Sequence, residues 1–299
     1  MLFTLFVFAS ALSFSQKWVD LGNVFWRFSP FNSADNSTEQ YHFNSITANV
    51  KIPLVLSDEN LLIIGLEHQY NSISAAKISS NFDKIEFSSS MLQFGWEHKW
   101  NKKSKMLFMT LGRLNSDYQS ISSSHFQLGG LVLGTTKKSE KFQWKYGIYY
   151  NAEFFGPMFV PLFGFNWEIN DQWRLKTVIP MNMEVSYFPN ERFRTGLFFE
   201  GINASYRMGN PDDMNTHYMD KADNNLSLFA EFNLGKNVWF HLKAGYSILR
   251  EYNYYDNKEK LGMKMGPVNI ANDRSEIAPI FNDGWSIETR MIYRLPLKD

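Results

Sequence analysis

The chain has 299 residues with 30 basic and 30 acidic side chains, so its formal net charge is zero, and it contains no cysteine. A neutral chain has no global field to gather nucleic acid or an acidic partner. Without thiols there is no disulfide, thiolate metal site or thiol chemistry, which suits a chain that crosses an oxidising compartment. Aromatic residues make up 17%, and these are the residue types of lipid-facing bands and interfacial girdles.

In chain order, the first segment, MLFTLFVFASALSFSQ, is an apolar run ending in the small-x-small pattern Ser13-Phe14-Ser15 before Gln16. It reads as a secretory signal peptide over residues 1–15, leaving 16–299 as the mature chain. No Lys or Arg precedes the run, so a start upstream of Met1 is one expectation. At about 14 residues the run is too short to span a bilayer as a helix, and no other segment offers 18 consecutive apolar residues.

From about residue 20 onward the chain alternates. Trp144, Tyr146, Ile148, Tyr150, Ala152 and Phe154 fall on one face of an extended segment; Gln143, Lys145, Gly147, Tyr149, Asn151 and Glu153 fall on the other. This period of two predicts strands at 19–29, 41–54, 61–73, 84–100, 105–117, 124–136, 141–155, 158–169, 173–179, 182–188, 192–207, 225–234, 238–252 and 283–296. Most exceed the ~5–6 residues usual in soluble sheets and approach or exceed the ~9–11 of a tilted membrane strand. Connections alternate between short polar turns (56–60, 101–104, 138–140, 170–172, 189–191, 235–237) and longer segments (30–40, 74–83, 118–123, 208–224, 253–282). That rhythm predicts an antiparallel up-and-down transmembrane β-barrel with short turns on the periplasmic rim. Pro180 cannot donate to a ladder; if it marks a turn the strand count is about fourteen, with twelve as the fallback.

The expected outward face carries no charge: Leu92, Phe94, Trp96; Phe163, Phe165, Trp167; Leu226, Leu228, Ala230, Phe232; Leu242, Ala244, Tyr246, Ile248; Trp285, Ile287, Met291, Tyr293. An outward Lys or Arg would cost ~2–4 kcal/mol at the bilayer midplane. Trp26, Trp100, Trp144, Trp167, Trp173 and Trp285 fall near predicted strand ends and form the expected aromatic girdle. Glu97, Lys145, Glu153, Glu168, Arg174, Lys176, Arg194, Glu200, Glu231, Lys243, Glu288 and Arg290 fall on the opposite face and are the lumen-lining candidates. Charges in this number would be ruinous in an apolar core. Their mixed sign predicts a lumen crossed by ion pairs and at least partly obstructed.

The chain resembles the uncharacterised outer-membrane β-barrel proteins of Bacteroidota, grouped under a domain of unknown function. The resemblance is carried by Ser13-Phe14-Ser15-Gln16, by Pro161-Leu162-Phe163-Gly164-Phe165-Asn166-Trp167 with a short turn to Trp173, by Val178-Ile179-Pro180 and by Tyr187-Phe188-Pro189-Asn190. The last strand, from Gly284 to Leu295, is similar to a barrel-assembly signal, although the chain ends Pro296-Leu297-Lys298-Asp299 rather than in Phe. The family implies a barrel and no known activity.

The six histidines, His42, His68, His98, His125, His217 and His241, show no metal-ligand spacing on one face, so neither metal nor cofactor is expected. His98 and the run Ser88-Ser89-Ser90 share one strand, but 8–10 residues along a strand amount to ~27–34 Å, which excludes that nucleophile–base pair. Gly129-Gly130 and Gly134 read as strand glycines rather than a phosphate loop. The expectation is a non-enzymatic outer-membrane protein with both termini periplasmic. Its partners would be membrane lipid, the assembly machinery and a small-molecule solute of unnamed identity. Function divides between a passive or gated channel, which the width of a fourteen-stranded barrel favours, and a structural or surface-interaction barrel; an outer-membrane hydrolase ranks below both.

Overall fold

The computed structural model describes residues 18–32, 40–75, 84–209, 217–275, 278–279 and 282–296. The expected signal peptide falls outside these residues. Seventeen strands follow in chain order: β1 (Trp18–Asn32), β2 (Gln40–Val55), β3 (Asn60–Ala75), β4 (Ile85–Lys99), β5 (Ser104–Ser116), β6 (Phe126–Ser139), β7 (Phe142–Glu153), β8 (Gly156–Glu168), β9 (Trp173–Ile179), β10 (Asn182–Asn190), β11 (Phe193–Met208), β12 (His217–Gly235), β13 (Val238–Asp256), three short strands β14 (Met263–Met265), β15 (Val268–Ile270) and β16 (Ala278–Pro279), and β17 (Trp285–Pro296).

Strands β1 to β13 and β17 pair antiparallel with their sequence neighbours and close a 14-stranded barrel. Closure is made by β17, which pairs β13 on one side and β1 on the other, from Trp18↔Pro296 to Phe28↔Ile287. The expected segments match these strands to within a few residues, apart from an earlier start to β12. Pro180 does mark a turn: the N–H of Met181 donates to the Val178 carbonyl at 2.8 Å, and β9 and β10 pair from Trp173↔Tyr187 to Val178↔Asn182. Asn101 and Asn170 shape the short turns by accepting backbone N–H bonds two and three residues on, the usual turn chemistry of this side chain.

Alternation becomes burial. On β12, Asn225, Ser227, Phe229 and Glu231 are buried while Leu226, Leu228 and Phe232 are exposed; on β13, His241, Lys243 and Ser247 are buried while Leu242, Tyr246 and Ile248 are exposed. The exposed face is the apolar one, the reverse of a soluble sandwich.

Two departures break this regularity. On β11, Ala204, Ser205, Tyr206 and Arg207 are all buried, and on β12 so are Tyr218, Met219, Asp220 and Lys221. Four consecutive buried residues mean that both faces of the strand are covered, so here β11 and β12 have left the wall and lie inside the barrel. The fold-in begins at a register shift between Ala222 and Asn224 opposite β13, where Leu249 takes a positive φ of 55°. Inside, Arg207 pairs with Ser116 of β5, and Tyr206 packs edge-on against Phe87 of β4 at 4.7 Å.

The second departure is the β9–β10 hairpin. Strand β9 has seven residues and pairs β8 only from Phe163 to Glu168, while β10 pairs β11 only up to Glu200. Above this hairpin, β8 is instead joined by β14 from the 257–275 connection, in parallel register Lys264↔Met158 and Met265↔Phe159.

Candidate functional site: the barrel interior

The lumen is filled by side chains of opposite character at different levels. Toward the short turns it is ionic. Glu231, with no exposed surface, accepts two hydrogen bonds from Arg194 at 2.7 and 3.0 Å and two from Arg294 at 2.6 and 3.5 Å, and lies 3.1 Å from His241 Nδ1. Arg194 also reaches Glu184 at 2.6 Å, and Arg294 reaches Asp20. A second cluster centres on Glu288, which binds Arg27 at 2.6 Å, Arg290 at 2.7 Å and Lys243 at 3.3 Å; Arg27 continues across the interior to Glu200. Arg27 and Glu200 stand on β1 and β11, four strands apart around the wall, so this pair spans a chord of the barrel. Paired and bidentate contacts of this kind are what make buried charge tolerable.

Glu153 anchors the fold-in. Its carboxylate accepts from the backbone N–H of Ser205 at 2.8 Å, from the Ser205 hydroxyl at 2.6 Å and from Gln127 at 3.1 Å, with Arg113 at 3.7 Å. The charge of one wall strand therefore holds the backbone of an element that crosses the lumen. Further out, Asp223 binds Tyr252 at 3.1 Å and the hydroxyl of Ser247, with Arg250 at 3.7 Å.

Above and between these charges lie two apolar clusters. One gathers Phe31, Phe43, Phe87, Tyr206, Met219 and Tyr252. Lys221, 2% exposed, enters it with Nζ 4.7 Å from the Phe43 ring centre and 5.4 Å from that of Tyr252, within cation–π range. The other gathers Tyr149, Phe155, Met158, Leu162, Tyr218 and Leu261, with Val178 and Met181 packed against it.

The lumen-lining candidates divide as follows. Glu153, Arg194, Glu200, Glu231, Lys243, Glu288 and Arg290 fall in the networks above. Glu97 pairs with Lys105 at 3.0 Å and Glu168 with Arg174 at 3.5 Å, both close to the short turns. Lys145 and Lys176 share the interior face without a carboxylate at ion-pair distance among the described residues. Of the tryptophans, Trp100, Trp167 and Trp173 are exposed beside short turns and Trp144 is half-buried there; Trp285 opens β17 at the opposite end, and Trp26 lies within β1 rather than at its end.

Sequence spacing did not disclose the interior clusters, because their residues are brought together by the fold-in. Nor did it disclose a contact on the outer face: His68 Nδ1 lies 2.9 Å from the Ser90 hydroxyl on the neighbouring strand. Beyond Ser90 stands the hydroxyl of Tyr118 at 2.8 Å, whose ring also meets His68 edge-on. Among the described residues the polar contacts of this pair are with each other and with Tyr118, and no carboxylate lies on the imidazole. His98 is bound to Asn60 between Trp96 and Trp100. Among the described residues no three His, Cys, Asp or Glu side chains converge as a metal site.

A closed, even-stranded, antiparallel barrel with an apolar outside and a charged inside defines the class: the fold of the outer-membrane β-barrels. Within that class the chain belongs to the family described as Domain of unknown function (DUF6268), which matches residues 19–272. Among solved structures it is similar to an outer membrane channel from Pseudomonas putida F1, at 8% identity and a TM-score of 0.52, over 94% of this chain and 96% of that one. It is less similar to the translocator domain of the autotransporter NalP from Neisseria meningitidis, at 11% identity and a TM-score of 0.40, over 94% and 91%. A mutant of the TodX monoaromatic hydrocarbon channel follows at 8% identity and a TM-score of 0.42, over 94% and 91%. At such identities the likeness is one of fold. No curated protein matches the chain.

Proposed function

We propose that this protein is a gated outer-membrane channel for small molecules, standing here in its closed form. The observation that carries the reading is the fold-in of β11 and β12, held by Glu153 and Ser205, inside a barrel wider than the ~8 strands whose interior side chains alone can fill. A wall of this size would enclose a path if the fold-in withdrew. Its closure combines the apolar packing of Tyr206, Tyr218 and Met219 with the polar hold of Glu153 on Ser205, and only the polar part can be exchanged directly for water. The mixed-sign lower lumen favours a narrow route over an open, ion-selective pore. The test is planar-bilayer recording of the purified protein beside Glu153→Gln. Wild type should show rare, small openings, and the variant, with its hold on Ser205 weakened, more frequent ones. A silent bilayer for both, with the heat-modifiable folded form intact on gels, would favour a non-conducting surface barrel.

A further inference from the structure

Strand β9 is too short for its place in the wall, and its hairpin partner β10, at nine residues, turns at the same level. Seven residues in β9 fall below the ~9–11 that a tilted strand needs to cross the apolar layer, whereas β8 continues to Gly156 and β11 to Met208. The wall is therefore notched between β8 and β11. One bank is the edge of β8; the other is β11, which turns inward at this level. In hydrocarbon an open strand edge is not tolerated, and the notch is covered by a hairpin from a loop. Strand β14 pairs with β8, the N–H of Leu261 donates to the Phe155 carbonyl at 2.7 Å, and the N–H of Gly266 donates to the Phe159 carbonyl at 2.8 Å.

The hairpin is patterned as wall rather than as loop. Lys264 points inward, 5% exposed, with its Nζ 5.1 Å from the Phe155 ring centre, while Met265, Val268 and Ile270 are exposed. Met265, exposed and partnered with Phe159, extends the outer apolar surface of β8 over the notch. Yet the hairpin is attached on one side only: β15 pairs with β14, and no ladder joins β15 to β11 among the described residues. Directly behind the seam lies the apolar cluster of Met158, Leu162, Tyr218 and Leu261, with Val178 and Met181 at its margin.

We propose that this seam is a lateral portal, with the β14–β15 hairpin as its door, through which small apolar molecules pass between the barrel interior and the membrane. The proposal deepens the channel reading and rests on the barrel being embedded in a bilayer. It names the substrate class: small uncharged apolar molecules, matched to the Met, Leu and aromatic side chains behind the door, and not ions, which would have to enter hydrocarbon to use it.

The chain has no native cysteine, so a door lock can be introduced cleanly. Phe159→Cys with Met265→Cys places two thiols on partnered positions of the parallel pair. The full-length protein in phosphatidylcholine vesicles is exposed to 3-phenyl-3-(trifluoromethyl)diazirine dissolved in the lipid, photolysed, and mapped by mass spectrometry. With the lock reduced, Leu162, Val178 and Tyr218 should be labelled as well as the outward Phe163 and Leu228. With the lock oxidised, labelling of the three interior residues should be lost and that of the outward two unchanged. Gly156→Ala gives an independent arm: Gly156 has φ +130°, and a Cβ there would stand 2.8 Å from the Leu261 carbonyl, so the door should loosen and interior labelling rise. Interior labelling absent in every form, or unaffected by the lock, overturns the portal. Bilayer conductance recorded on the same preparations keeps the two readings apart. Conductance without interior labelling leaves the channel and removes the portal; labelling without conductance does the reverse.

Discussion

At the scale of single residues, Glu231 carries the most. It has no exposed surface and serves Arg194, Arg294 and His241 together. Its replacement by Gln leaves buried cations without their counter-charge, and breaking a buried pair from one side costs about 3–5 kcal/mol. Glu231→Gln should therefore unfold in urea at a clearly lower midpoint than wild type, while Glu140→Gln, whose carboxylate is 84% exposed, should be indistinguishable from it. Lys260 supplies a pH dependence. Burial first, then the charges of Arg207 and Arg274, push its pKa from 10.5 down to about 8 in the docked connection. A lowered lysine pKa means that the undocked state binds more protons between these values, so docking is weakest below pH 8 and strengthens as pH rises toward 10.5. The residue keeps part of its surface in solvent even though its amine is partly buried, and solvent screening keeps the effect small. Protease cleavage within 257–262 should slow between pH 8 and 10, and Lys260→Met should abolish that slope.

At the scale of elements, the strands were legible because a period of two survives wherever one face meets lipid and the other the lumen. That is why 173–179 and 238–252 are placed to within a few residues; Pro180 reads as a turn on a different ground, its missing N–H donor. The beginning of β12 was not legible. Near its start Tyr218, Met219, Asp220 and Lys221 are all buried, so both faces are covered and no alternation in polarity marks them; the strand was expected only from 225. Strands β14 and β15, at three residues each, were too short to stand out from a long connection, although Met263, Met265, Val268 and Ile270 carry the same alternation in miniature. For the interior, the sequence shows which residues turn inward but not which charges meet, since Arg27 and Glu200 are brought together by closure alone. Outward positions should respond to the membrane in a way inward ones do not. Leu228, 65% exposed on β12, changed to Arg should lose ~2–4 kcal/mol in the bilayer, read as a fall in folded yield in vesicles that detergent micelles largely relieve.

At the scale of the whole molecule, an even strand count puts both ends of the chain on one rim. With the short turns taken as periplasmic, a tag inserted at Lys258 should be labelled on intact cells, and tags at Lys102 or Lys236 only after the outer membrane is breached; the opposite pattern would invert the barrel. The pairing of β1 with β17 has a consequence for manufacture. The first wall strand pairs with β2 but cannot find its second partner until the last strand exists, so closure joins residues as far apart as Trp18 and Pro296, and such distant contacts are formed late and slowly. Until then β1 and whichever strand has most recently formed present raw edges, the template for pairing with another chain. Synthesis and assembly must accordingly be separated in time, with the nascent chain kept from its neighbours until its final strand arrives. Once closed, the cylinder keeps no memory of where it began: the same sheet could be cut between Lys236 and Asn237, and its old ends joined, without breaking a single ladder.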